Sequence, residues 1–333
     1  MTTASAIQQR KLGRTGPSVF PIALGCMGMS GMYGPAEEPE SLATIHAAID
    51  AGVTLIDTGD FYGMGHNEML VGQALRFFRE KVLISVKFGA QRGPDGAWLG
   101  YDARPAAVKT ALAYSLKRLG VDSIDIYRPA RLDPNVPIEE TIGAIADMIK
   151  AGYVRHIGLS EVGPETIRRA AKVHPIVDLQ IEYSVISRGP EDRIFAVLEE
   201  LGIAVTAYGV LSRGLLSGSS NSGRPGDIRS RFPRFAPENQ EQNQKLVARL
   251  AEMAAGKGIT PSQLAIAWVL AKRPGHIALI GARTRAQLSE SLGALGVTLT
   301  PQEIEEIELA VPAGSVAGTR YDAHQMQVLD SEK

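Results

Sequence analysis

Lys87 stands directly after the apolar run 82–86, Val-Leu-Ile-Ser-Val. A β-strand there would deliver its ammonium to the strand's C-terminal end, in surroundings where an unpaired charge is costly. It therefore needs a carboxylate, and Asp57 closes another apolar run, 53–57. Tyr62 follows on the next loop. A Lys–Asp pair beside a tyrosine changes the phenol, because a close cation favours phenolate and draws the pKa down from about 10. Such a phenol can give a proton to a carbonyl oxygen as hydride reaches the carbon. The plain alternative is a structural ion pair beside an aromatic ring. A lysine at a strand end also suits Schiff-base chemistry, as in a lyase or aldolase.

The elements that must hold these groups form a repeat. Short β-branched runs recur at 21–24, 53–57, 82–86, 123–127, 154–159, 176–180, 203–208 and 276–280. Between them, segments such as Pro-Ala-Ala-Val-Lys-Thr-Ala-Leu-Ala-Tyr-Ser-Leu place apolar residues at helical spacing. Several stop at glycine, at Gly52, Gly120 and Gly152, which suits a left-handed cap. Strands alternating with helices imply parallel βαβ units. Eight such units in about 300 residues predict an α/β protein with a closed (β/α)8 TIM barrel as one domain over 1–333. The segment after the first strand lacks the GxGxxG spacing that an open dinucleotide-binding sheet would carry. Upstream, Lys-Leu-Gly-Arg-Thr-Gly-Pro-Ser-Val reads as an N-terminal β-hairpin able to close the barrel bottom. The aperiodic loop 212–238 follows the seventh strand, on the face where barrel enzymes keep their sites. In this register the strand ends present Asp57, Lys87, Tyr127, Ser160, Gln180, Tyr208 and Gly281.

Composition narrows the function classes. The net charge is −1 and aromatic content is 6%, which argues against a nucleic-acid protein and an acidic membrane surface. The single cysteine, Cys26, forbids an intrachain disulfide and reads as a small buried hydrophobe. With no signal-peptide core and no apolar stretch near the ~20 residues of a membrane span, a soluble cytoplasmic protein is expected. His46, His66, His156, His174, His276 and His324 show no metal-ligand spacing, and no metal site is expected; His156 and His276 lie within strand runs and read as packed or hydrogen-bonded. Arg224, Arg229, Arg231 and Arg234 cluster in the long loop, where phosphate contact and plain solvation are equally open. Arg283 has a planar fork suited to phosphate oxygens, or is a solvated arginine at a helix start.

The motifs Asp-Thr-Gly-Asp-Phe-Tyr-Gly (57–63), Ser-Val-Lys (85–87), Gly-Leu-Ser (158–160), the glutamine of Asp-Leu-Gln (178–180) and Ile-Gly-Ala-Arg-Thr (280–284), in this order, resemble aldo-keto reductases. So do the opening Lys-Leu-Gly-Arg-Thr-Gly, the segment Leu-Gly-Cys-Met-Gly-Met-Ser and Ala-Tyr-Gly-Val-Leu-Ser-Arg-Gly-Leu-Leu after the seventh strand. The resemblance spans essentially the whole chain and implies NADP(H)-dependent, reversible reduction of a small aldehyde or ketone. It makes Tyr62 the proton donor, Lys87 the residue lowering its pKa and Asp57 the partner of Lys87. Ser160 and Gln180 would hold the nicotinamide carboxamide and Tyr208 would stack on the ring. Leu211, Ser212, Arg213 and Gly214 would line the pyrophosphate. Arg283 would meet the adenosine 2′-phosphate, with Gln287 and Ser291 beside adenine and phosphate. Gly25, Met27, Gly209, Val210 and Gly281 complete the cofactor set.

The chain departs from the family after the fourth strand, where Tyr127-Arg128-Pro129-Ala130-Arg131 replaces the common Tyr-Gln-His-Arg pattern. The usual histidine falls at Ala130, which weakens hydrogen-bond support for the oxyanion and leaves Arg128, Arg131 or water to fill its place. Glu161 and Ser291 stand where many members have Asn. A nucleotide-sensing regulatory barrel with little turnover is therefore the second reading. The substrate pocket is expected around Met29, Tyr33, Phe61, Phe88, Trp98 and the C-terminal tail.

Overall fold

The computed structural model describes residues 7–217 and 227–333. The N-terminal hairpin pairs β1 (Arg10–Lys11) with β2 (Ser18–Val19). Eight parallel strands then close a barrel: β3 (Ile22–Gly25), β4 (Leu55–Gly59), β5 (Leu83–Phe88), β8 (Ile124–Pro129), β9 (Val154–Ser160), β10 (Ile176–Glu182), β11 (Ala204–Tyr208) and β12 (His276–Gly281), with β12 returning to β3. Each β-branched run is one of these strands. A second hairpin, β6 (Ala90–Arg92) with β7 (Trp98–Tyr101), leaves the end of β5. Its Gly-rich, mixed sequence carries no clean alternation, and sequence periodicity did not reveal it. No helix among the described residues is long and apolar enough to cross a membrane.

The helices follow from local rules. Pro105–Leu119 starts with proline in its first turn, where the missing N–H costs nothing. It buries Val108, Leu112 and Leu119 along one face, carries Lys117 and Arg118 in its last turn, and ends on Gly120 at φ 67°. Thr260 with Gln263, and Thr300 with Glu303, form capping boxes on two later helices.

The barrel interior has an apolar floor and a polar upper part. Leu12 and Val19 of the hairpin pack with Ala23, Leu55, Ile126, Val177, Ala204, Ile277 and Leu279, so the hairpin closes the bottom. Above this floor, side chains of non-neighbouring strands meet across the interior. Arg128 on β8 donates from both Nη atoms to Asp178 Oδ2 on β10 at 3.1 Å, to Leu159 O at 3.2 Å and to Ser85 Oγ at 3.1 Å. Thr206 Oγ1 donates to the same Asp178 oxygen at 2.5 Å. A register shift between Ile176 and Asp178 breaks the two-residue alternation, so Val177, Asp178 and Gln180 can all face inward. Gly158 is required by this packing: a Cβ there would lie 2.7 Å from Asp178 Oδ1 and 2.8 Å from Arg128 Cζ.

Because Arg128 faces inward, Tyr127 faces the helix layer. It stacks on Phe88 with centroids 4.3 Å apart and donates its hydroxyl to Val108 O at 3.3 Å. Tyr127 is thus absent from the barrel mouth, and Phe88, fully buried beside it, is not a pocket residue. Met29 is likewise core. Cys26 is buried, and burial first, then the Asp57 carboxylate, push its thiol far up, consistent with an inert hydrophobe.

His276 is 2% exposed and packs edge-on against Tyr183 and Phe195, with centroids 5.4 and 5.0 Å away. Burial, then Arg273 and Arg10, push its pKa down to about 3, against about 6.5 in an unfolded chain. Between these values the unfolded state binds the extra proton, so stability falls as pH drops from about 6.5 toward 3. The slope from this residue is about 1.4 kcal/mol per pH unit. Urea midpoints between pH 6.5 and 4.5 should therefore fall less in His276→Leu than in the parent. An equal fall in both would clear the histidine.

Candidate active site

β4 carries Asp57 and β5 carries Ser85 and Lys87 to the same end of the barrel, with Asp57 opposite Ser85 and Gly59 opposite Lys87. Asp57 Oδ1 accepts the Lys87 ammonium, and Oδ2 accepts Ser85 Oγ at 2.8 Å and Gln180 Nε2 at 2.9 Å. Asp57 and Lys87 are only 3% and 4% exposed, so each needs the other. Burial lowers the Lys87 pKa against the opposing pull of Asp57.

After β4 the chain enters the turn Tyr62–Gly65, with Gly63 and Met64 in left-handed conformation at φ 57° and 52°. Asn67, fully buried, fastens this loop. Its amide donates to Cys26 O at 2.8 Å and Ser30 Oγ at 2.7 Å, and its carbonyl accepts Thr58 Oγ1 at 2.6 Å. Tyr62 is thereby turned over the mouth, with Lys87 Nζ 5.1 Å from its ring centroid and Phe61 edge-on at 4.7 Å. Sequence reading had no reason to single out Asn67, whose partners lie on two other segments.

The acidity expected for Tyr62 is reversed. Burial, then the Asp57 carboxylate and Tyr33, push the phenol well above its ordinary pKa; Arg131 is the cation that opposes the rise. The Lys87 charge is directed at Asp57, and the ammonium approaches the tyrosine's ring. The phenol therefore holds its proton at neutral pH.

Ser160 ends β9, Gln180 lies on β10 and Tyr208 ends β11. Tyr208 donates to Glu161 Oε1 at 2.7 Å, and its oxygen lies 2.9 Å from that of Tyr321. Glu161, at φ 53°, also receives Arg320 at 2.9 and 2.6 Å, Ser331 Oγ at 2.6 Å and the backbone N–H of Glu182 at 2.9 Å. Burial alone would raise the Glu161 carboxyl; the Arg320 guanidinium more than reverses this and holds it far below the usual range.

From β11 the segment 209–214 turns sharply, with Gly209, Ser212, Arg213 and Gly214 all at positive φ. Val210 is buried and Leu211 half-buried in this turn. Arg213 donates to Glu182 Oε2 at 3.0 Å and Arg234 to Glu182 Oε1 at 3.2 Å. Arg213 Nη1 and Arg234 Nε are buried without a hydrogen-bond partner among the described residues. Of the loop arginines, Arg229 pairs with Asp227, Arg234 with Glu182, and Arg231 is exposed; Arg224 lies outside the described residues.

Gly25 and Gly281 are register partners at the ends of β3 and β12, and half-buried Met27 opens the turn after β3. Arg283 Nη1 donates to Tyr33 O at 3.2 Å and Pro35 O at 3.4 Å, while its backbone N–H donates to Gln287 Oε1 at 2.8 Å. Ser291 is buried one turn beyond Gln287 on the helix Arg285–Leu292. Glu182, Arg320 and Tyr321 were missed by sequence reading; pairs such as Glu161–Arg320 are separated by 159 residues, with no local pattern to link them.

The chain belongs to the aldo/keto reductase family, whose model matches residues 21–311. That makes it an oxidoreductase acting on carbonyl or CH–OH groups, in a family that uses NAD(P)H. It is 40% identical over 326 residues to "Probable aldo-keto reductase 1" of Glycine max, covering 96% of this chain and 93% of that protein. Its fold is similar to that of the glycerol dehydrogenase AKR11B4 from Gluconobacter oxydans, at TM-score 0.82 and 30% identity over 92% of this chain and 97% of that one. It is also similar to the aldo-keto reductase AKR11C1 from Bacillus halodurans in its holo form, at TM-score 0.77 and 27% identity over 96% and 99%. Family membership leaves the Schiff-base lyase reading without support.

Proposed function

We propose that the protein reduces an aldehyde or ketone with NADPH, reversibly, with Tyr62 giving the proton to the carbonyl oxygen. The observation that carries this reading is the Tyr62 ring held over the buried Lys87–Asp57 pair, its phenol kept protonated. When bound, the nicotinamide supplies hydride. The chain's part is placement and charge. Tyr62 holds the donated proton at its Oη, Lys87 and Asp57 fix the field beneath it, and Ala130, whose N–H donates to Phe88 O at 2.8 Å, contributes no side-chain donor.

The cofactor fits the residues present. The orphaned Arg213 Nη1 and Arg234 Nε are cationic donors of the kind a pyrophosphate satisfies, beside the turn 211–214. Ser160, Gln180 and Tyr208 would hold the nicotinamide end. Gly25, Met27, Gly209, Val210 and Gly281 would border the cofactor, and Arg283, Gln287 and Ser291 its adenosine end.

Fluorescence titration with NADPH and NADH, followed by a carbonyl panel, tests the reading. Arg283→Ala should weaken NADPH binding by about 10- to 100-fold, the worth of one or two charged hydrogen bonds, with little change for NADH. Equal weakening of both would mean Arg283 shapes the fold instead. Tight NADPH binding with no carbonyl turned over would favour the nucleotide-sensing barrel.

A further inference from the structure

We propose that Arg131 is the receptor for an anionic group of the substrate, so that the preferred carbonyl compounds carry a carboxylate. This deepens the proposed function by naming its substrate class, and rests on that reading for the reaction itself.

Arg131 follows β8 and faces the same space as Tyr62. Its Nη1 donates to Ala130 O at 2.6 Å and reaches Ser160 Oγ at 3.4 Å, and its Nη2 donates to Tyr321 Oη at 3.0 Å. All three acceptors are neutral. The other arginines buried about this mouth have carboxylates: Arg128 has Asp178, Arg213 and Arg234 share Glu182, Arg320 has Glu161 and Arg229 has Asp227. Among the described residues, no carboxylate lies within 4 Å of the Arg131 guanidinium. A half-buried cation that always stays protonated thus has only neutral oxygens in hydrogen-bond contact; Glu161 acts on it from beyond contact distance and is itself engaged by Arg320.

The surplus of Arg213 and Arg234 over their shared Glu182 lies at the turn after β11 and the short helix Pro233–Phe235, where it would serve the cofactor phosphates. Arg131 comes from a different segment, the loop after β8; it flanks the same Tyr321 ring as Arg213, 5.7 against 4.7 Å from the centroid, and is the cation that acts on the Tyr62 phenol. A guanidinium fork matches the two oxygens of a carboxylate. The mouth also offers an aromatic wall: Phe61 lies 6.2 Å from Trp98, and Trp98 5.3 Å from Tyr101, centroid to centroid. The site thus suits an apolar or aromatic body with the carbonyl at Tyr62 and the acid at Arg131.

The test compares 4-carboxybenzaldehyde with its neutral methyl ester in NADPH-dependent turnover. The parent should favour the acid by about 100-fold in kcat/KM, mostly through KM, because the anchor acts in the ground state. In Arg131→Met the acid-to-ester ratio should collapse toward one, and Arg131→Lys should give an intermediate ratio. Calorimetric titration with 4-methylbenzoate, with and without NADP+, gives a readout that needs no turnover; binding should be lost in Arg131→Met. A parent that reduces the ester as well as the acid overturns the proposal. So does an equal fall for both substrates in Arg131→Met, which would place Arg131 on the carbonyl oxygen or in the fold. If neither aldehyde is reduced while 4-methylbenzoate binds in an Arg131-dependent way, the reductase reading fails and the anion receptor stands.

Discussion

Tyr62→Phe should lower kcat by about 10³-fold, the usual contribution of a positioned general acid, while NADPH binds nearly as before. The replacement removes one oxygen and keeps the ring, so the contact with Phe61 and the position over Lys87 survive. Lys87 and Asp57 keep their bond, because neither depends on the phenol for a partner. Since burial and Asp57 hold the phenol well above its ordinary pKa, the parent's reduction rate should also stay level through the range near ~10 where a free phenol ionises. Steady-state turnover and cofactor titration measured together decide the point. Parallel loss of turnover and NADPH affinity would make Tyr62 a structural residue.

Asp178→Ala should destabilise the fold by about 3–5 kcal/mol, the cost of breaking a buried ion pair from one side. Arg128 and Asp178 are both fully buried, and Asp178 Oδ2 accepts both Nη atoms of Arg128 and the Thr206 hydroxyl. Removing the carboxylate leaves the guanidinium in the barrel interior with only Leu159 O and Ser85 Oγ. Replacing both partners, Arg128→Met with Asp178→Leu, should recover much of the loss, because an apolar pair avoids the desolvation of two charges. Urea unfolding of the three proteins measures this. A double variant no better than Asp178→Ala would mean that the pair is held for shape, with Gly158 cut to fit it.

Much of the architecture was legible because it is written in short-range rules. Each barrel strand is a β-branched run, and Gly120 caps its helix as its position implies. The inward direction of Lys87 follows from alternation along β5. The same rule misled for Tyr127, which reads as a strand-end polar group but faces the helices, because Arg128 takes the inward position. On β10 the register shift lets Val177, Asp178 and Gln180 share the interior, and no composition signal marks where a strand will bulge.

The barrel, its hairpin floor and the convergence of Asp57, Tyr62 and Lys87 could be read along the chain, since periodicity and residue order are local properties that survive into the fold. How charge is distributed among them was set by three-dimensional packing. It turned the Lys87 ammonium toward Asp57, raised the Tyr62 phenol where a lowered one was expected, brought Arg320 and Tyr321 of the tail onto Glu161 and Tyr208, and left Arg131 facing neutral oxygens. Electrostatic energies depend on distance through space and on burial, and neither quantity is contained in residue spacing along a chain.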